Sequence, residues 1–431
     1  MKENRVVITG IGVVSPNALG VPDFNKALQE GKSGIKYWKE HKDLNFRCQI
    51  GGKPPLTNEY IDRFLPEFFS KKISNKAIIY ACLSGIEAWQ DAGFETNSSE
   101  RDPECGIVFG AGDLGFDSLR EPYEYYSYPV DRGEVRKLGS RSISEAMNSG
   151  ASAYLNNILG LGNRIISNSS ACTTGSESIF LGYEHIKSGK AKRMICGSTE
   201  GDGRYIWGAF DAMRVLCADS NDNPAFGSRP MSDSSSGFVP GGGSGAMVLE
   251  SLESALDRGA KIYAEVLGGD LNSGGQRSGG SMTAPNSEAV VECISNAVKY
   301  AEINPDEIDL ISGHLTSTKG DPIEVENWMK ALALNRDKFP FINSVKSMIG
   351  HCIGGVGSIE LVACILQMEH GYIHKNLNVE KLHPEIEKLI PASKIPKETI
   401  SQPINTVIKA NFGFGDLNCC LVLRKWNNQN G

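Results

Sequence analysis

The strongest constraint on the fold is an alternation of strand and helix patterns that the chain runs through twice. Short apolar runs predict buried strands at 5–14, 105–112, 164–168, 193–197 and 245–251. Helical patterns lie between them, and the clearest, at 75–93, repeats its apolar residues at three- and four-residue spacing and ends at a glycine. After residue 258 the alternation starts again, with predicted strands at 261–269, 308–314, 340–346, 404–410 and 418–426 and a helix near 287–301. We therefore predict two successive α/β halves, 1–258 and 259–431, and a surface loop in the Gly/Ser-rich stretch 268–280.

Composition excludes several classes of function. The net charge of −7 argues against bulk binding to nucleic acid or to an anionic membrane. No apolar run reaches membrane-spanning length, and the start of the chain goes into a strand pattern without a signal peptide, so the cytoplasm is the expected compartment. The 11 cysteines lack CxxC spacing, which favours reduced thiols over disulfides or a zinc site.

Cys172 is a candidate nucleophile. It follows the predicted strand 164–168 and a short Ser-Ser-Ala turn, and it precedes a helical pattern that ends near Gly189. A thiol at a helix N-terminus lies near unpaired backbone N–H groups and the positive end of the helix dipole, which lower its pKa and could hold an oxyanion. Position alone leaves a buried filler as the alternative, since free cysteines are mostly core residues.

Candidate partners for this thiol follow two strands of the second half. His314 ends the predicted strand 308–314, and Lys346 and His351 follow the strand 340–346. Open α/β sheets bind ligands beyond the carboxyl ends of their strands. Two histidines and a cysteine in such places favour chemistry over a structural role.

The stretch "NFGFGDLN" at 411–418 is a Gly–Phe loop between two predicted strands. It is either a plain hairpin turn or a loop that brings backbone N–H groups close to a ligand. Other functional motifs are missing: the chain has no GxSxG, no GxxxxGK[ST], no HExxH and no full dinucleotide fingerprint. No metal and no bound cofactor are therefore expected.

Four ordered motifs carry a resemblance. The stretches "SSACTTGSESI", "GHLTSTKGDPIE", "NSVKSMIGHCIGGVGSIE" and "NFGFGDLN" resemble the Cys-His-His signature of the β-ketoacyl-acyl-carrier-protein synthases, elongating condensing enzymes similar to ketosynthases I and II. The likeness runs over nearly the whole chain. It implies the thiolase fold, in which two similar halves stack as α/β/α/β/α layers, and usually a homodimer. It also implies substrates carried on the phosphopantetheine arm of acyl carrier protein.

The resemblance implies roles for individual residues. Cys172 would accept the acyl chain, and His314 and His351 would bind the malonyl thioester carbonyl and stabilise the enolate formed on loss of CO₂. Lys346, with Glu360 as its partner, would set the electrostatics of the site.

Further roles concern the entrance. The backbone N–H groups of Cys172 and Phe414 would form the oxyanion hole. Residues implied to bind the pantetheine arm or to gate entry are Thr316, Thr318, Gly413, Phe414 and Gly415. Lys71, Lys72 and Lys76 fall where the family carries residues that dock the acidic carrier protein, although a solvated helix start is an alternative.

The chain departs from the family pattern at four places. Leu315 replaces a glycine, Lys319 stands alone in a shortened loop, Asp416 replaces the last glycine of the gating motif, and Asp113 replaces an apolar residue of the acyl tunnel. Two acids at the gate predict a specialised synthase for polyene, aryl or polyketide-like acyl chains rather than long saturated ones.

Two other functions stay open. One is a non-condensing partner subunit that shapes the tunnel of a heterodimer, and the intact catalytic set argues against it. The other is a coenzyme A thiolase, for which Cys419 or Cys420 could supply the second cysteine.

Overall fold

Both halves of the chain contribute strands to one mixed sheet of eleven strands within the described residues. This computed structural model describes residues 4–96, 100–115 and 129–427. The strands are β1 (Val6–Ser15), β2 (Ala18–Leu19), β3 (Ile35–Tyr37), β4 (Ile50–Gly52), β5 (Cys105–Ala111), β6 (Ile165–Ile166), β7 (Arg193–Glu200), β8 (Gly243–Ser251), β9 (Ala264–Ser273), β10 (Leu310–Ser312), β11 (Phe341–Asn343), β12 (Tyr372–Ile373), β13 (Ile400–Ser401), β14 (Thr406–Gly413) and β15 (Leu417–Lys425).

The helices follow the same alternation. They are α1 (Val21–Glu30), α2 (Lys39–Asp43), α3 (Asn58–Phe64), α4 (Glu67–Lys72), α5 (Lys76–Asp91), α6 (Ser142–Ala146), α7 (Gly150–Leu159), α8 (Thr174–Lys187), α9 (Arg204–Ala212), α10 (Leu252–Asp257), α11 (Ser287–Tyr300), α12 (Asp321–Leu332), α13 (Lys346–Ile349), α14 (Val356–His370) and α15 (Pro384–Leu389). Among the described residues, no helix is long and apolar enough to cross a membrane.

The two halves repeat one sheet topology. The first half has the strand order β6-β5-β7-β8-β1, and the second has β11-β10-β14-β15-β9. The five main strands, in chain order, are β1, β5, β6, β7 and β8 in the first half and β9, β10, β11, β14 and β15 in the second. In each half the second strand lies between the third and the fourth and is parallel to both. The fifth strand lies between the fourth and the first and is antiparallel to both. The halves join where β1 pairs with β9. The predicted duplication is thus present, and the boundary at 258/259, which falls between α10 and β9, stays a prediction.

Helices cover both faces of each half-sheet. One apolar core holds α8 and α14 between the strands of the two halves. A second core packs α5 and α7 on the outer face of the first half, and a third packs α11 and α12 on the outer face of the second. The order helix, sheet, helix, sheet, helix follows, and it places the ends of α8 and α14 next to each other.

Two segments differ from the sequence-based expectation. β9 continues to Ser273, so that residues 270–273, beyond the predicted strand 261–269, also lie in a strand and not in the predicted surface loop. A Cβ at Gly269 would lie 2.5 Å from the Cys420 carbonyl oxygen, which explains why glycine is needed there. In contrast, the predicted strand 164–168 shortens to β6, and beyond it the Asn168 side chain donates to the Thr174 carbonyl and to Glu177, which holds the loop that carries Cys172.

Candidate active site

Cys172 lies in a 3₁₀ turn, Ala171–Thr173, that leads directly into α8. Ala171 has a φ of +50°, so the chain makes a sharp bend immediately before the thiol. The Ser170 N–H donates to Thr174 Oγ1 at 2.9 Å, and Thr174 Oγ1 donates to the Ala171 carbonyl at 2.7 Å. The carboxylate of Glu177 accepts from the Ser170 hydroxyl. The small polar residues around the cysteine therefore hold the strained turn in place.

Cys172 is buried, with 8% of the residue exposed. Burial raises its pKa to about 11, although Lys346 and the backbone N–H of Phe414 both lower it. Loss of hydration outweighs these stabilising groups, so the pKa is not the lowered one that a place at a helix N-terminus predicts. A thiol with this pKa is protonated at neutral pH.

His314 follows β10 and is held by a buried acid from α12. The backbone N–H of His314 donates to Glu324 Oε1 at 2.6 Å, and the backbone N–H of Leu315 donates to Glu324 Oε2 at 2.7 Å. Leu315 has a φ of +23° and is fully buried, so it fills a core position where a flexible glycine was the family expectation. Glu324 anchors the backbone of the histidine, and sequence reasoning did not single it out.

The loop after His314 wraps around Asp321 at the start of α12. Asp321 accepts from the backbone N–H groups of Thr316 at 2.9 Å and Ser317 at 3.1 Å. The hydroxyls of Thr316 and Thr318 lie 3.0 Å apart on the partly buried side of the loop, and Lys319 is exposed. The pantetheine-binding role of the two threonines stays a prediction.

His351 points into the site with a defined tautomer. Its Nδ1 accepts a hydrogen bond from the Ile353 N–H at 3.1 Å, so the neutral ring carries its proton on Nε2. The ring is buried and lies against Phe238, with 5.3 Å between ring centroids. His351 is therefore a hydrogen-bond donor through Nε2.

The tautomer of His314 depends on Asn411, which sequence reasoning also missed. The Asn411 amide nitrogen donates to Glu360 Oε2 at 3.0 Å and lies 3.3 Å from His314 Nδ1, while Oδ1 accepts from the Ser176 hydroxyl at 2.6 Å. A carboxylate can only accept, so it fixes the orientation of the amide, and the amide then donates to Nδ1. The proton of His314 is thus on Nε2, as in His351.

The two histidines and the cysteine converge. The Cys172 Sγ and one ring nitrogen each of His314 and His351 lie within 4.8 Å of one another, and the two rings are nearly perpendicular at a centroid distance of 5.4 Å. These are ligand types that a soft metal ion could use. However, with the proton on Nε2 in both rings, the arrangement suits an oxygen acceptor beside the sulfur better than a cation.

Lys346 is buried next to His314 and is hydrogen-bonded to its backbone. Its Nζ donates to the His314 carbonyl at 2.6 Å and to Glu360 Oε1. Burial alone would raise the pKa of Glu360, but Lys346 and Lys409 hold it below its usual value. Burial, and then the charge of Lys346, hold the pKa of both histidines well below the ordinary value. Both rings are therefore neutral at pH 7.

The Gly–Phe loop is the turn between β14 and β15, and it touches the nucleophile. A Cβ at Gly413 would lie 3.2 Å from the backbone nitrogen of Cys172, so the two backbones are in contact. The N–H of Phe414 is directed at the Cys172 thiol. The Phe414 ring faces Phe210 of α9 at 6.2 Å between centroids. This geometry is compatible with the expected oxyanion hole.

Asp416 differs from the expectation of an acid at the gate. It is fully buried at a φ of +65°, and its carboxylate accepts from the N–H groups of Gln276 at 2.8 Å and Asn286 at 2.7 Å. The Gly415 N–H also donates to the Met282 carbonyl at 2.8 Å. Asp416 therefore ties the loop 274–286 to the turn and presents no free charge to the entrance. Interpreting it as a gate acid was wrong, because its oxygens point into this loop.

Asp113 lies directly after β5, beside a buried acid. Its N–H donates to Glu200 Oε1 at 3.2 Å, and Glu200 Oε2 accepts from Gly112 and Gly354, both at 3.1 Å. Burial raises the pKa of Glu200 to about 8 despite these bonds. Glu200 links the ends of β5 and β7 to the start of α14, and no sequence motif identified it.

The three lysines named for carrier docking have different surroundings. Lys71 is exposed and pairs with Glu67 one turn earlier in α4, and Lys72 is exposed. Lys76 is half-exposed and lies 3.1 Å from Asp202. Their role stays a prediction.

The thiolase alternative loses its structural support. Cys419 and Cys420 are fully buried in β15, where loss of hydration raises the pKa of both well above the usual value. Within the described residues, neither belongs to the cluster formed by Cys172 and the histidines.

Comparison with known proteins identifies the family. The family model "Beta-ketoacyl synthase, N-terminal domain" matches residues 3–255, and "Beta-ketoacyl synthase, C-terminal domain" matches 263–380. The chain belongs to the β-ketoacyl synthase family. Its members are condensing enzymes of the acyltransferase class, which confirms the predicted activity class.

Individual relatives cover nearly the whole β-ketoacyl synthase chain. The 3-oxoacyl-[acyl-carrier-protein] synthase 1 of Escherichia coli K12 is 35% identical over 430 residues, 98% of this chain and 99% of that protein. A β-ketoacyl synthase from Burkholderia phymatum superimposes with a TM-score of 0.88 at 26% identity, covering 98% of this chain and all of that one. A type II polyketide ketosynthase in complex with its acyl carrier protein gives 0.84 at 26% identity, covering 98% and 100% of the two chains. The predicted thiolase-like fold is confirmed by these neighbours.

Proposed function

We propose that this β-ketoacyl synthase takes an acyl group from acyl carrier protein onto Cys172 and condenses it with malonyl-carrier protein, giving β-ketoacyl-carrier protein and CO₂. The observation that carries the proposal is the convergence of the Cys172 sulfur with two neutral histidines within 4.8 Å. The names of the relatives support the class of substrate. The complex of a similar ketosynthase with its carrier protein supports the class of partner.

The first half-reaction is acyl transfer. The Cys172 sulfur attacks the carbonyl carbon of the acyl thioester, and the N–H groups of Cys172 and Phe414 hold the oxyanion of the tetrahedral intermediate. The carbon–sulfur bond to pantetheine then breaks. The proton lost from Cys172 ends on the pantetheine sulfur. The acyl-pantetheine thioester and the Cys172 thiol thus become an acyl-Cys172 thioester and a free pantetheine thiol. The high pKa of Cys172 makes its thiol the resting form, and Lys346 favours the transient thiolate.

The second half-reaction forms the carbon–carbon bond. The Nε2–H groups of His314 and His351 donate to the malonyl thioester oxygen, which becomes an enolate oxygen as the carboxylate leaves as CO₂. The enolate carbon attacks the acyl-Cys172 carbonyl, and collapse of the tetrahedral intermediate returns the Cys172 thiolate. Neutral histidines suit this step because they donate hydrogen bonds to the enolate oxygen without transferring a proton to the enolate.

The alternative of a non-condensing partner subunit needs a missing or displaced catalytic group. Cys172, His314, Lys346 and His351 are all present: the first, second and fourth converge within 4.8 Å, and Lys346 donates to the His314 carbonyl. We therefore favour a catalytic chain, which forms a homodimer or is the catalytic half of a heterodimer.

The acyl chain is the finer part of the proposal. Of the two acids that departed from the family pattern, Asp113 is the one that lies near the nucleophile loop, where the Ser169 hydroxyl donates to the Gly112 carbonyl at 3.1 Å. A carboxylate beside the acyl chain would disfavour a long saturated chain, so polyene, aryl or polyketide-like primers are the class that we propose. We assign no bound cofactor or metal to the reaction. The cytoplasm is the proposed compartment, in keeping with eleven free cysteines.

The test is intact-protein mass spectrometry after incubation with a panel of acyl carrier proteins that bear saturated, polyene and aryl groups. We expect a mass gain of one acyl group on the wild type, greatest with an unsaturated or aryl primer, and none on Cys172→Ala. Addition of malonyl-carrier protein should then release one CO₂ for each acyl group lost.

Matched controls separate the parts of the proposal. Cys352→Ala removes another buried thiol without touching the nucleophile and should leave the mass gain intact. No gain with any primer would overturn the catalytic assignment and favour an obligate partner subunit. Preference for saturated medium chains would overturn only the specialised primer.

A further inference from the structure

Lys409 is a buried amino group that the mechanism above does not use. It lies in β14 and is 0% exposed. Its Nζ lies 2.9 Å from Glu360 Oε2 and donates to the carbonyl of Ala410. An ammonium group inside a protein is costly unless it is paired, so a lysine at this place requires a partner and a reason.

Lys409 shares its carboxylate partner, Glu360, with Lys346. Glu360 Oε1 accepts from Lys346, and Glu360 Oε2 accepts from Lys409 and, at 3.0 Å, from the amide of Asn411. A carboxylate has enough lone pairs to accept all three. One negative charge therefore stands between two amino groups in a cluster whose lysines and glutamate are at most 1% exposed.

The remaining charges near the histidines do not restore neutrality. Groups that face His314 and His351 from the packed elements are Lys346 of α13, Lys409 of β14, Glu360 of α14, Glu324 of α12, Glu200 of β7 and Cys172. Burial raises the pKa of Glu324 to about 7 and that of Glu200 to about 8, so neither is fully ionised at neutral pH. Glu360 is the acid whose charge is secured by lysines.

We propose that Lys409 is a second cation of the active site and acts on both histidines through the cluster it shares with Glu360. With Lys346 it gives the cluster more positive than negative charge. This excess keeps His314 and His351 neutral, and it favours the anions that form between them. Lys409 is a positioning residue, since it touches neither substrate nor sulfur.

The proposal rests on the proposed function and adds to its chemistry. Enolate and oxyanion both carry negative charge that develops in a buried site, where fixed charges act strongly. A single Lys–Glu pair would cancel itself, whereas a shared carboxylate leaves one positive charge. The same charge repels a proton from the histidine rings, since a nearby cation lowers the pKa of an imidazole.

The experiment compares Lys409→Met with the wild type. Loss of the cation lets the histidine pKa values rise, so protonation begins at a higher pH and removes the neutral donors there. We expect the acid limb of the pH profile for CO₂ release to move upward by about one pH unit, a roughly tenfold loss of rate on that limb. Lys409→Arg should keep the wild-type limb, and the exposed Lys338→Met should change nothing.

A second readout does not depend on the reaction. NMR of ¹³C-labelled histidines, assigned with His314→Asn and His351→Asn, should show titration beginning at a higher pH in Lys409→Met. The proposal would be overturned if the wild type and Lys409→Met gave the same NMR titration curves, whether sloping or flat, and the same acid limb in the pH profile for CO₂ release. An inactive wild type with displaced NMR curves would instead overturn the proposed function alone. If Lys409→Met and Lys409→Gln both fail to fold while Lys409→Arg folds, the lysine serves stability only, which also overturns the proposal.

Discussion

The two halves of the molecule share a backbone plan but differ in chemistry. In each half the third main strand, β6 or β11, is followed by a 3₁₀ turn and a central helix, α8 or α14. A residue with positive φ lies at each turn, Ala171 at +50° and Ile353 at +44°. The first half places Cys172 in its turn, whereas the second has glycines at Gly354 and Gly355.

The two halves differ in the length of the connection between the third main strand and the 3₁₀ turn, and in the residues that this connection carries. Only four residues, 167–170, separate β6 from its turn, but 344–352 separate β11 from the equivalent turn and carry both Lys346 and His351. Around the catalytic cluster the first half contributes the acids Asp113 and Glu200, while the second contributes Lys346 and Lys409, which share the one carboxylate of Glu360. The two halves thus share a frame, and their unequal connections and charges fit the separate roles proposed above, in which the first half holds the acyl group and the second stabilises anions.

The largest expected effect tests the charge difference between the two central helices. Glu360→Gln leaves Lys346 and Lys409 without their carboxylate, so we expect the free energy of unfolding to fall by about 3–5 kcal/mol. Its counterpart near the start of α8, Glu177, accepts from Asn168 and Ser170, so Glu177→Gln should cost about 1 kcal/mol. Urea unfolding followed by circular dichroism measures both. Equal losses would contradict the assignment of the cationic cluster to the second half.

A smaller effect tests the division of the reaction. His351→Ala removes one donor to the developing enolate, so CO₂ release should slow by about 10²–10³-fold. Acylation of Cys172, which uses the turn of the first half, should fall far less. Stopped assays for CO₂ and mass spectrometry for the acyl-enzyme follow the two steps in one sample. If both steps slow equally, the halves do not have separate roles.

The smallest effect concerns the connection between the fourth and fifth main strands. This connection is the turn 414–416 in the second half but spans 201–242 in the first. Asp416→Ala loses two accepted hydrogen bonds and places alanine at positive φ, so we expect about 1–3 kcal/mol of destabilisation.

Hydrogen exchange should report the same change locally, with faster exchange at the amides of Gln276 and Asn286. Asp416→Asn tolerates the backbone conformation and retains one acceptor oxygen, so it should lie between the alanine variant and the wild type. Unchanged exchange in Asp416→Ala would show that the loop is held by other contacts.

Much of the frame and the central residues could be predicted from the sequence. The repeated strand and helix patterns gave nearly every main strand within a few residues, and four motifs singled out Cys172, His314, Lys346 and His351, whose side chains the structure brings into one cluster. Local periodicity and turn chemistry suffice for this, because they depend on residues close together in the chain.

The sequence by itself determined two α/β halves and the chemistry-bearing side chains at their strand ends. Only the tertiary structure decided the protonation and the support of those side chains. Burial, not the helix end, sets the pKa of the Cys172 thiol, and Asn411 fixes the tautomer of His314 across the sheet. Asp416 binds a distant loop instead of facing the entrance, and Lys409 meets Glu360. Hydration loss and long-range hydrogen bonds depend on groups far apart in the chain, so no local pattern encodes them.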